Sequence, residues 1–458
     1  MHLIRGALSF LILSSVTVAS PKPLSESSIT VNQVPKPVVH YHQQVILHHG
    51  IASYAKALSK YGASEEKVAN LRTLALRHGI PRTNPNSKAN SRPRSTRRQA
   101  TSSKVPDAQC TAGPQTAGPI LTIPDTYDEQ YVSQVTIGSR TFWVDFDTGS
   151  SDFWVFGPNV TTTIASNQTV WAPSSTSTEL SGQSWYVTYG DGSFAGGSVW
   201  TDEVGLGAVK VPQASIEIAD FASGTFDAPS SGILGLGFDS NNMVSPNQQP
   251  TIFTTLITSG LISRPVVAAD LKHNAPGSYT FGDTPWWQHS GSITYTSTDP
   301  SDGYWMITPL SYSVSGGKNT TITTTTTSLR GAVDTGTTLI LIDDATAAWY
   351  WGQVSGAVLD VDNYGGWIFD CNETLPDFKL VIGEQGKATY TATVPGAYMN
   401  YAPLPQQNKC YGAMQPLFNQ IPFNVYGDIL LKSVFVVFDR GTTANQKPRV
   451  GFADKSGY

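Results

Sequence analysis

Two Asp-Thr-Gly triplets are the part of this sequence best suited to do chemistry. One triplet begins at Asp147 in the first half of the 458-residue chain, and the other begins at Asp334 in the second half. Each directly follows an apolar run of the kind that forms a buried strand. If the two halves face each other, the two carboxyl groups meet, and such a pair can activate a water molecule against a peptide bond by general acid–base catalysis.

Other catalytic groups are scarce in the body of the chain. Of the eight His residues, only His273 and His289 follow Arg98, and the sequence contains no Gly-x-Ser-x-Gly or His-Glu-x-x-His motif. Ser and Cys nucleophiles need a His base, and zinc sites draw mainly on His and Cys. The sequence therefore predicts that Asp and Glu carboxyls are the acid–base groups, and it predicts no metal site.

Short strands joined by turns dominate the predicted secondary structure. The chain is 40% hydrophobic and only 14% charged, so it can bury a large core, and its length predicts two or more domains. Predicted helices in the body are few, at residues 251–259 and 343–354. We therefore expect an all-β body, whose predicted strands include residues 130–137, 141–147, 184–189, 277–281, 293–296, 379–382 and 434–438.

A second internal repeat supports a duplicated fold. An apolar segment containing Gly235 follows the first triplet by about ninety residues, and a similar segment containing Gly427 follows the second. Each segment can pass beneath the Asp-Thr-Gly turn of its own half. The sequence thus predicts one fold unit that is used twice.

Residues 1–20 are typical of a secretory signal peptide, because Arg5 precedes a short apolar run that is followed by small residues. No later run of about 18 apolar residues is present, so no membrane span is expected. The sequence also has no hydrophobic tail of the kind that directs lipid anchoring. We expect an extracellular protein.

Residues 21–98 are interpreted as a removable basic pro-segment. This region is strongly basic, whereas the rest of the chain is acidic, and it ends in the dibasic pair Arg97-Arg98. It contains two predicted helices, 51–61 and 64–78. A basic arm can also bind nucleic acid, but the dibasic end favours a segment that is held over an acidic cleft and later removed.

Cysteines and glycosylation motifs agree with an oxidising compartment. Cys371 and Cys410 can close one loop, whereas Cys110 is left as a free or trimmed-away thiol or as one half of an intermolecular bridge. Four Asn-x-Thr motifs are candidate glycosylation sites: Asn159, Asn167, Asn319 and Asn372.

Residues 120–453 resemble the pepsin-like aspartic proteases, in particular secreted fungal members of the penicillopepsin and aspergillopepsin type. The resemblance rests on the stretches around the two triplets, residues 145–155 and 332–339. Residues 186–193 are similar to the flap of that family. Further similarity covers the closing strands of the family at residues 427–432 and 436–439 and, more loosely, its pro-segments at residues 54–62.

The resemblance implies two β lobes related by a pseudo-two-fold axis, with residues 99–290 as the N-terminal catalytic lobe and 291–458 as the C-terminal one. Asp147 and Asp334 would meet at the base of the cleft, where they share a proton because two carboxyls in contact cannot both ionise cheaply. The resemblance also implies supporting roles for the residues that follow each Asp. Thr148 and Thr335 are expected to form hydrogen bonds across the lobes. Gly149 and Gly336 would bring their backbone amides close to the carboxylates. Ser150 and Thr337 would donate hydroxyl hydrogen bonds to the carboxylates.

The flap-like stretch implies further substrate contacts. Tyr189 would lie on a mobile hairpin that closes over the substrate and excludes water, with Gly190 in its flexible tip. Trp154 is expected to donate its indole N–H to Tyr189. Asp191 is either an ordinary turn residue or, as in fungal relatives that accept Lys on the acyl side of the cut bond, a substrate contact.

The implied activity is that of a monomeric, secreted endopeptidase that is made as a zymogen and cuts protein or peptide substrates at acid pH. Hydrophobic residues around the cut bond would be favoured, and no cofactor, nucleic acid or membrane anchor is expected. The pro-segment would act as an intramolecular inhibitor, with Lys60 as a candidate contact to the two Asp residues. A glycosidase, which also pairs two carboxyls, and a peptide-binding protein without activity are the alternatives.

Overall fold

The computed structural model describes residues 29–35, 49–78, 127–160, 168–188, 194–223, 230–315, 321–322, 330–404, 408–441 and 447–457. The predicted signal peptide, the dibasic pair at residues 97–98 and Cys110 lie outside the described residues. Within the described ranges, no helix is long and apolar enough to cross a membrane.

The helices are few and short, as the composition predicts. The two predicted helices of the body begin where expected, since Thr251 and Asp343 each accept a hydrogen bond at a helix N-terminus from the backbone N–H three residues later, whereas two single-turn helices at Gly396–Met399 and Asp428–Leu431 were not predicted. In the ranges given above, the α-helices are α1 (His49–Lys60), α2 (Glu65–Arg77), α3 (Ile252–Thr258), α4 (Asp344–Trp351), α5 (Gly396–Met399) and α6 (Asp428–Leu431), and two 3₁₀ helices lie at Asp239–Asn241 and Pro300–Asp302.

The two predicted helices of the pro-segment are confirmed as α1 and α2. Gly62, at φ +83°, makes the turn between them, and Ser64 accepts a hydrogen bond from the Lys67 N–H in the first turn of α2. Both helices bury apolar side chains such as Tyr54 and Leu71 in the same core cluster as the body. The pro-segment helices are therefore packed as an integral part of this fold.

Strands are the commonest secondary structure in the described part of the chain. In the first part of the sequence they are β1 (Ile29–Pro35), β2 (Tyr131–Ile137), β3 (Arg140–Asp147), β4 (Phe153–Phe156), β5 (Thr178–Thr188), β6 (Phe194–Leu206), β7 (Val209–Ser223), β8 (Gly232–Gly235), β9 (Val266–Lys272), β10 (Ala275–Phe281), β11 (His289–Ser297), β12 (Met306–Ile307) and β13 (Ser311–Ser315). In the second part they are β14 (Thr321–Ile322), β15 (Gly331–Val333), β16 (Ile340–Ile342), β17 (Val358–Asp360), β18 (Gly366–Asp370), β19 (Asp377–Gly383), β20 (Thr389–Val394), β21 (Asn400–Pro403), β22 (Lys409–Gly412), β23 (Met414–Pro416), β24 (Asn424–Tyr426), β25 (Phe435–Asp439) and β26 (Arg449–Lys455).

Both halves of the chain contribute to one large sheet. Its order is β11-β26-β25-β9-β10-β1-β2-β3-β8-β4-β7-β6-β5, and the pro-segment strand β1 lies between β10 and β2, antiparallel to both. Three smaller sheets complete the second half, with the orders β12-β15-β24-β16-β23, β14-β13-β19-β20 and β17-β18-β22-β21. The all-β prediction is confirmed, and each predicted strand of the body corresponds to an observed one.

The internal duplication is visible in the strand pairing. In the first half, β3 pairs in parallel with β8, and β8 pairs antiparallel with β4. In the second half, β15 pairs in parallel with β24, and β24 pairs antiparallel with β16. Asp147 lies opposite Gly235, so the apolar segment of each half runs beside the strand that ends in its Asp-Thr-Gly turn, as the repeat predicts.

The two halves form two β lobes joined by the shared sheet, as the resemblance implies. The predicted lobe boundary between residues 290 and 291 falls inside β11, a strand that pairs with β26 near the C-terminus. That boundary stays a prediction, because the shared sheet continues through it.

The predicted disulfide between Cys371 and Cys410 is present. It ties the end of β18 to β22, two strands of the same small sheet. Of the glycosylation candidates, Asn159 and Asn372 have exposed side chains, which glycosylation requires, whereas Asn167 and Asn319 lie outside the described residues.

Candidate active site

The two Asp-Thr-Gly turns meet at the centre of the molecule through reciprocal hydrogen bonds. The Thr148 N–H donates to Thr335 Oγ1 at 3.0 Å, and the Thr335 N–H donates to Thr148 Oγ1 at 3.0 Å. Each hydroxyl in turn donates to a backbone carbonyl of the other half, that of Val333 or Phe146. This nearly symmetrical contact fixes the two turns against each other and points both Asp side chains to one place.

Backbone amides and one hydroxyl hold the carboxyls. The Gly149 N–H donates to Asp147 Oδ1 at 2.8 Å, and the Gly336 N–H donates to Asp334 Oδ1 at 2.9 Å. Ser150 Oγ donates to Asp147 Oδ2 at 2.6 Å. The carboxyl of Asp147 is thus held from two sides by its own turn.

Thr337 is placed differently from Ser150. Its buried Oγ1 lies close enough to Asp334 to help lower the pKa of that carboxyl, but it makes no hydrogen bond of normal geometry in the part of the chain that the structure describes. Asp334 Oδ2 instead accepts hydrogen bonds from Lys60 and Tyr61, two residues of the pro-segment. The expected symmetry between Ser150 and Thr337 is therefore incomplete where Lys60 and Tyr61 contact Asp334.

The predicted pro-segment places one ammonium group on both carboxyls. Lys60, the last residue of α1, lies 2.6 Å from Asp147 Oδ1 and 2.9 Å from each carboxyl oxygen of Asp334. The Tyr61 hydroxyl donates to Asp334 Oδ2 at 2.7 Å. Both Asp side chains are almost fully buried beneath these two residues. Lys60 and Tyr61 therefore occupy the space next to both carboxyls.

Burial and charge act on this cluster in opposite directions. Burial raises the pKa of Asp147, and the neighbouring Asp334 adds to that rise, although Lys60 partly offsets it. Burial also opposes ionisation of Asp334, but the charge of Lys60 and the hydrogen bond from Asp147 outweigh it and hold the pKa of Asp334 well below its usual range. One carboxyl therefore holds its proton more strongly than the other, as expected for two acids in contact.

The comparisons with known proteins agree with this geometry. Residues 130–455 match the family model described as eukaryotic aspartyl protease. The chain belongs to the eukaryotic aspartyl protease family. It is 36% identical over 447 residues to aspergillopepsin-1 of Aspergillus fumigatus, covering 97% of both proteins, and 40% identical to penicillopepsin-1 of Penicillium janthinellum, covering 74% of this chain and 99% of that protein.

A solved structure agrees as well. The aspartic proteinase from Irpex lacteus is 28% identical in sequence, and its structure matches with a TM-score of 0.56 over 72% of this chain and 95% of that chain. This aspartyl protease is therefore an aspartic endopeptidase of the fungal pepsin-like type. The glycosidase alternative is set aside.

The flap-like hairpin of this aspartyl protease is formed by β5 and β6, which pair up to Thr188 and Phe194. Tyr189, Gly190 and Asp191 fall between these two residues and lie outside the described residues, and the expected contact between Tyr189 and Trp154 lies there with them. Trp154 itself is buried, and its ring stacks on Trp185 of β5 with centroids 5.8 Å apart. Trp154 therefore supports the base of the hairpin.

Tyr61 is a site residue that sequence reasoning missed. It follows Lys60 directly at the end of a predicted helix, and that adjacency was the available signal. Its ring packs edge-on against Tyr304 and Phe423, which aims the hydroxyl at Asp334. The position of these two partner rings is long-range information that the local sequence does not contain.

Gly336→Ala should separate the two carboxyls. A Cβ at Gly336 would overlap the Asp147 carboxyl, and one at Gly149 would lie 2.5 Å from Asp334 Cγ. A shift of about 1 Å in catalytic geometry lowers rates by about 10²-fold, so we expect peptide hydrolysis by Gly336→Ala to fall by at least that factor. The matched control is Gly352→Ala, at an exposed position with helical backbone angles, where the atom nearest to the added methyl is the Ala348 carbonyl oxygen at 3.1 Å. Hydrolysis by Gly336→Ala within a few-fold of the unmodified protein would contradict the close approach.

Proposed function

We propose that this protein hydrolyses peptide bonds by activating a water molecule between Asp147 and Asp334. The single observation that carries the proposal is the binding of one ammonium group, that of Lys60, by both carboxyls at 2.6 and 2.9 Å. A site that holds one small polar group against both acids can hold a water molecule in the same place once Lys60 has left. The surrounding amides and hydroxyls would keep the carboxyls in position for it.

The two acids would act as base and acid in one step. The ionised carboxyl takes a proton from the water while the protonated carboxyl donates to the oxygen of the peptide carbonyl. Water oxygen bonds to the carbonyl carbon, and a tetrahedral gem-diol forms. The carboxyl that took the proton from water then donates it to the amide nitrogen while the other carboxyl takes a proton from one gem-diol hydroxyl, and the carbon–nitrogen bond breaks to release an amine and a carboxylic acid. The pair ends the cycle with the one shared proton with which it began.

We also propose that residues 21–98 inhibit the enzyme as an intramolecular pro-segment. Support comes from Lys60 and Tyr61, which cover the carboxyl pair, and from α1, whose apolar face is buried in the body's core. The strand β1 adds to this anchoring, because it pairs with β10 and β2 in the large sheet. A segment held at several separate points inhibits through its high effective concentration at the site.

Acid should release the pro-segment, because the ion pairs with Lys60 need ionised carboxyls. The pKa of Asp334 is depressed in the folded zymogen. A carboxyl whose pKa is lower in the folded state than in the unfolded state, where it is about 4, stabilises the folded form at pH values above about 4. That stabilisation is lost as the pH falls toward the pKa of the folded state. We expect pro-protein to lose residues 21–98 faster at pH 3 than at pH 6, as followed by mass spectrometry. Pro-protein that stays intact at pH 3 would contradict release by acid.

Secretion follows from the proposed signal peptide at residues 1–20, and the exposed Asn159 and Asn372 suit glycosylation in the secretory pathway. We further propose a monomeric extracellular enzyme that favours hydrophobic residues around the cut bond and that tolerates Lys through Asp191. Peptide mapping of an unfolded protein after incubation at acid pH, with and without a statine-type inhibitor, tests both activity and preference. Peptide binding without new fragments would favour an inactive peptide-binding protein.

A further inference from the structure

A second pair of buried carboxyls lies behind the first catalytic turn. Asp152 is 5% exposed, and Glu217 on the neighbouring strand β7 is 2% exposed. Strands β4 and β7 run in parallel with Trp154 opposite Glu217, which brings Glu217 beside Asp152, just before β4. The proposed reaction uses neither of these carboxyls.

Asn242 connects both carboxyls to the catalytic segment. Its side-chain oxygen accepts hydrogen bonds from two backbone N–H groups, which fixes the orientation of the amide. Its Nδ2 then donates to Asp152 Oδ1 at 3.0 Å and to Glu217 Oε1 at 2.8 Å. The same Nδ2 lies 3.2 Å from the carbonyl oxygen of Ser151, in the segment that continues the Asp-Thr-Gly turn. A change at the pair would therefore reach that turn directly.

Within the described residues, the pair has no positively charged partner. No basic side chain there forms an ion pair with either carboxyl, and the other ionisable group that acts on Asp152 is a further carboxyl, that of Asp147, which raises the pKa of Asp152. Glu217 Oε2 is buried and has no hydrogen-bond donor in the described part of the chain. If this carboxyl is protonated, it can donate to Asp152, so a single proton satisfies both acids.

We propose that Asp152 and Glu217 share one proton at acid pH as positioning residues for the first catalytic turn, and that loss of this proton near neutral pH loosens the turn and inactivates the enzyme. Burial raises the pKa of Asp152 to about 7 and that of Glu217 well above its usual range. Both pKa values exceed the value of about 4 that a carboxyl has in the unfolded chain. The shared proton therefore stabilises the folded state fully below about pH 4, and this stabilisation is lost as the pH rises through about 7. The effect on activity rests on the proposed function, whereas the effect on stability does not.

Glu217→Gln tests the proposal, because glutamine has the same shape, can donate and accept hydrogen bonds, and has no charge to gain. Unfolding of the full chain is followed by tryptophan fluorescence in a fixed urea concentration, since Trp154 and Trp185 lie next to the pair. We expect the ratio of unfolding rates at pH 8 and pH 5 to be at least tenfold smaller in Glu217→Gln than in the unmodified chain. The neutral limb of the kcat/KM profile of the processed enzyme should also move upward by about one pH unit.

The matched control is Glu179→Gln on β5, where the carboxyl is exposed, and its unfolding-rate ratio should equal that of the unmodified chain. Asp152→Asn provides the same test if Glu217→Gln does not fold. The proposal would be overturned if the unfolding-rate ratio were unchanged in both variants, or if the unfolding rate changed equally at both pH values. It would also be overturned if neither variant folded at pH 5. A changed unfolding-rate ratio in a protein that cuts no peptide would contradict the proposed function instead.

Discussion

Asp147→Asn is expected to abolish peptide hydrolysis while leaving the fold intact. An asparagine keeps the shape of the side chain and can still accept from Gly149, but it cannot exchange a proton with water. General acid–base groups contribute about 10²–10⁴-fold to rates. Because the same carboxyl acts as a base in one step and as an acid in the other, we expect kcat/KM to fall by about 10³-fold or more. The measurement is hydrolysis of a peptide substrate by the processed enzyme at acid pH.

Asp334→Asn should have an effect of the same size, because the two turns are equivalent. The matched control is Asp362→Asn, an exposed Asp of the second half, which should keep full activity. Thermal unfolding of all three variants separates loss of chemistry from loss of folding. Undiminished cleavage by folded Asp147→Asn would show that the pair is not the reacting centre.

Lys60→Met is expected to weaken inhibition by the pro-segment by about 10²-fold. Its ammonium is paired with two buried carboxyls, and breaking a buried ion pair from one side costs about 3–5 kcal/mol. Part of this loss is recovered when the carboxyl pair takes up a proton in place of the ammonium. The variant pro-protein should therefore process itself near pH 6, where the unmodified pro-protein stays intact. Mass spectrometry over time gives both rates.

Two further variants make this test specific. Lys67→Met removes a pro-segment lysine that lies over the ring of Phe418 and does not touch the catalytic carboxyls, so it should process like the unmodified protein. Tyr61→Phe removes only one hydrogen bond to Asp334 and should show an intermediate rate. Equal rates for Lys60→Met and Lys67→Met would mean that Lys60 does not hold the pro-segment in place.

The sequence predicts the features that repeat or that rest on local signals. The helices of the pro-segment follow from capping residues and turn glycines close to their ends. The pairing of β3 with β8 and of β15 with β24 follows from the duplicated apolar segments, because the same local pattern recurs in both halves. The Cys371–Cys410 disulfide follows from the resemblance and from the position of both residues in one late region.

The remaining features depend on contacts between distant segments. The sequence around Thr337 does not indicate that Lys60 and Tyr61 donate hydrogen bonds to Asp334 Oδ2, the oxygen that Thr337 is expected to contact. The insertion of β1 between two strands of the body likewise depends on sheet edges built far away along the chain. Glu217 is one acidic residue in an alternating strand, and only the parallel pairing of β7 with β4 brings it to Asp152.

The pH dependence of kcat/KM for the processed enzyme, measured on a peptide without ionisable side chains, tests most directly whether the two acids work as one unit. A pair that shares one proton predicts a bell-shaped profile with its maximum at acid pH, falling on the low side as the second carboxyl is protonated and on the high side as the shared proton, or that of the Asp152–Glu217 pair, is lost. A profile with no fall on the low side, or with its maximum above neutral pH, would contradict the shared-proton account.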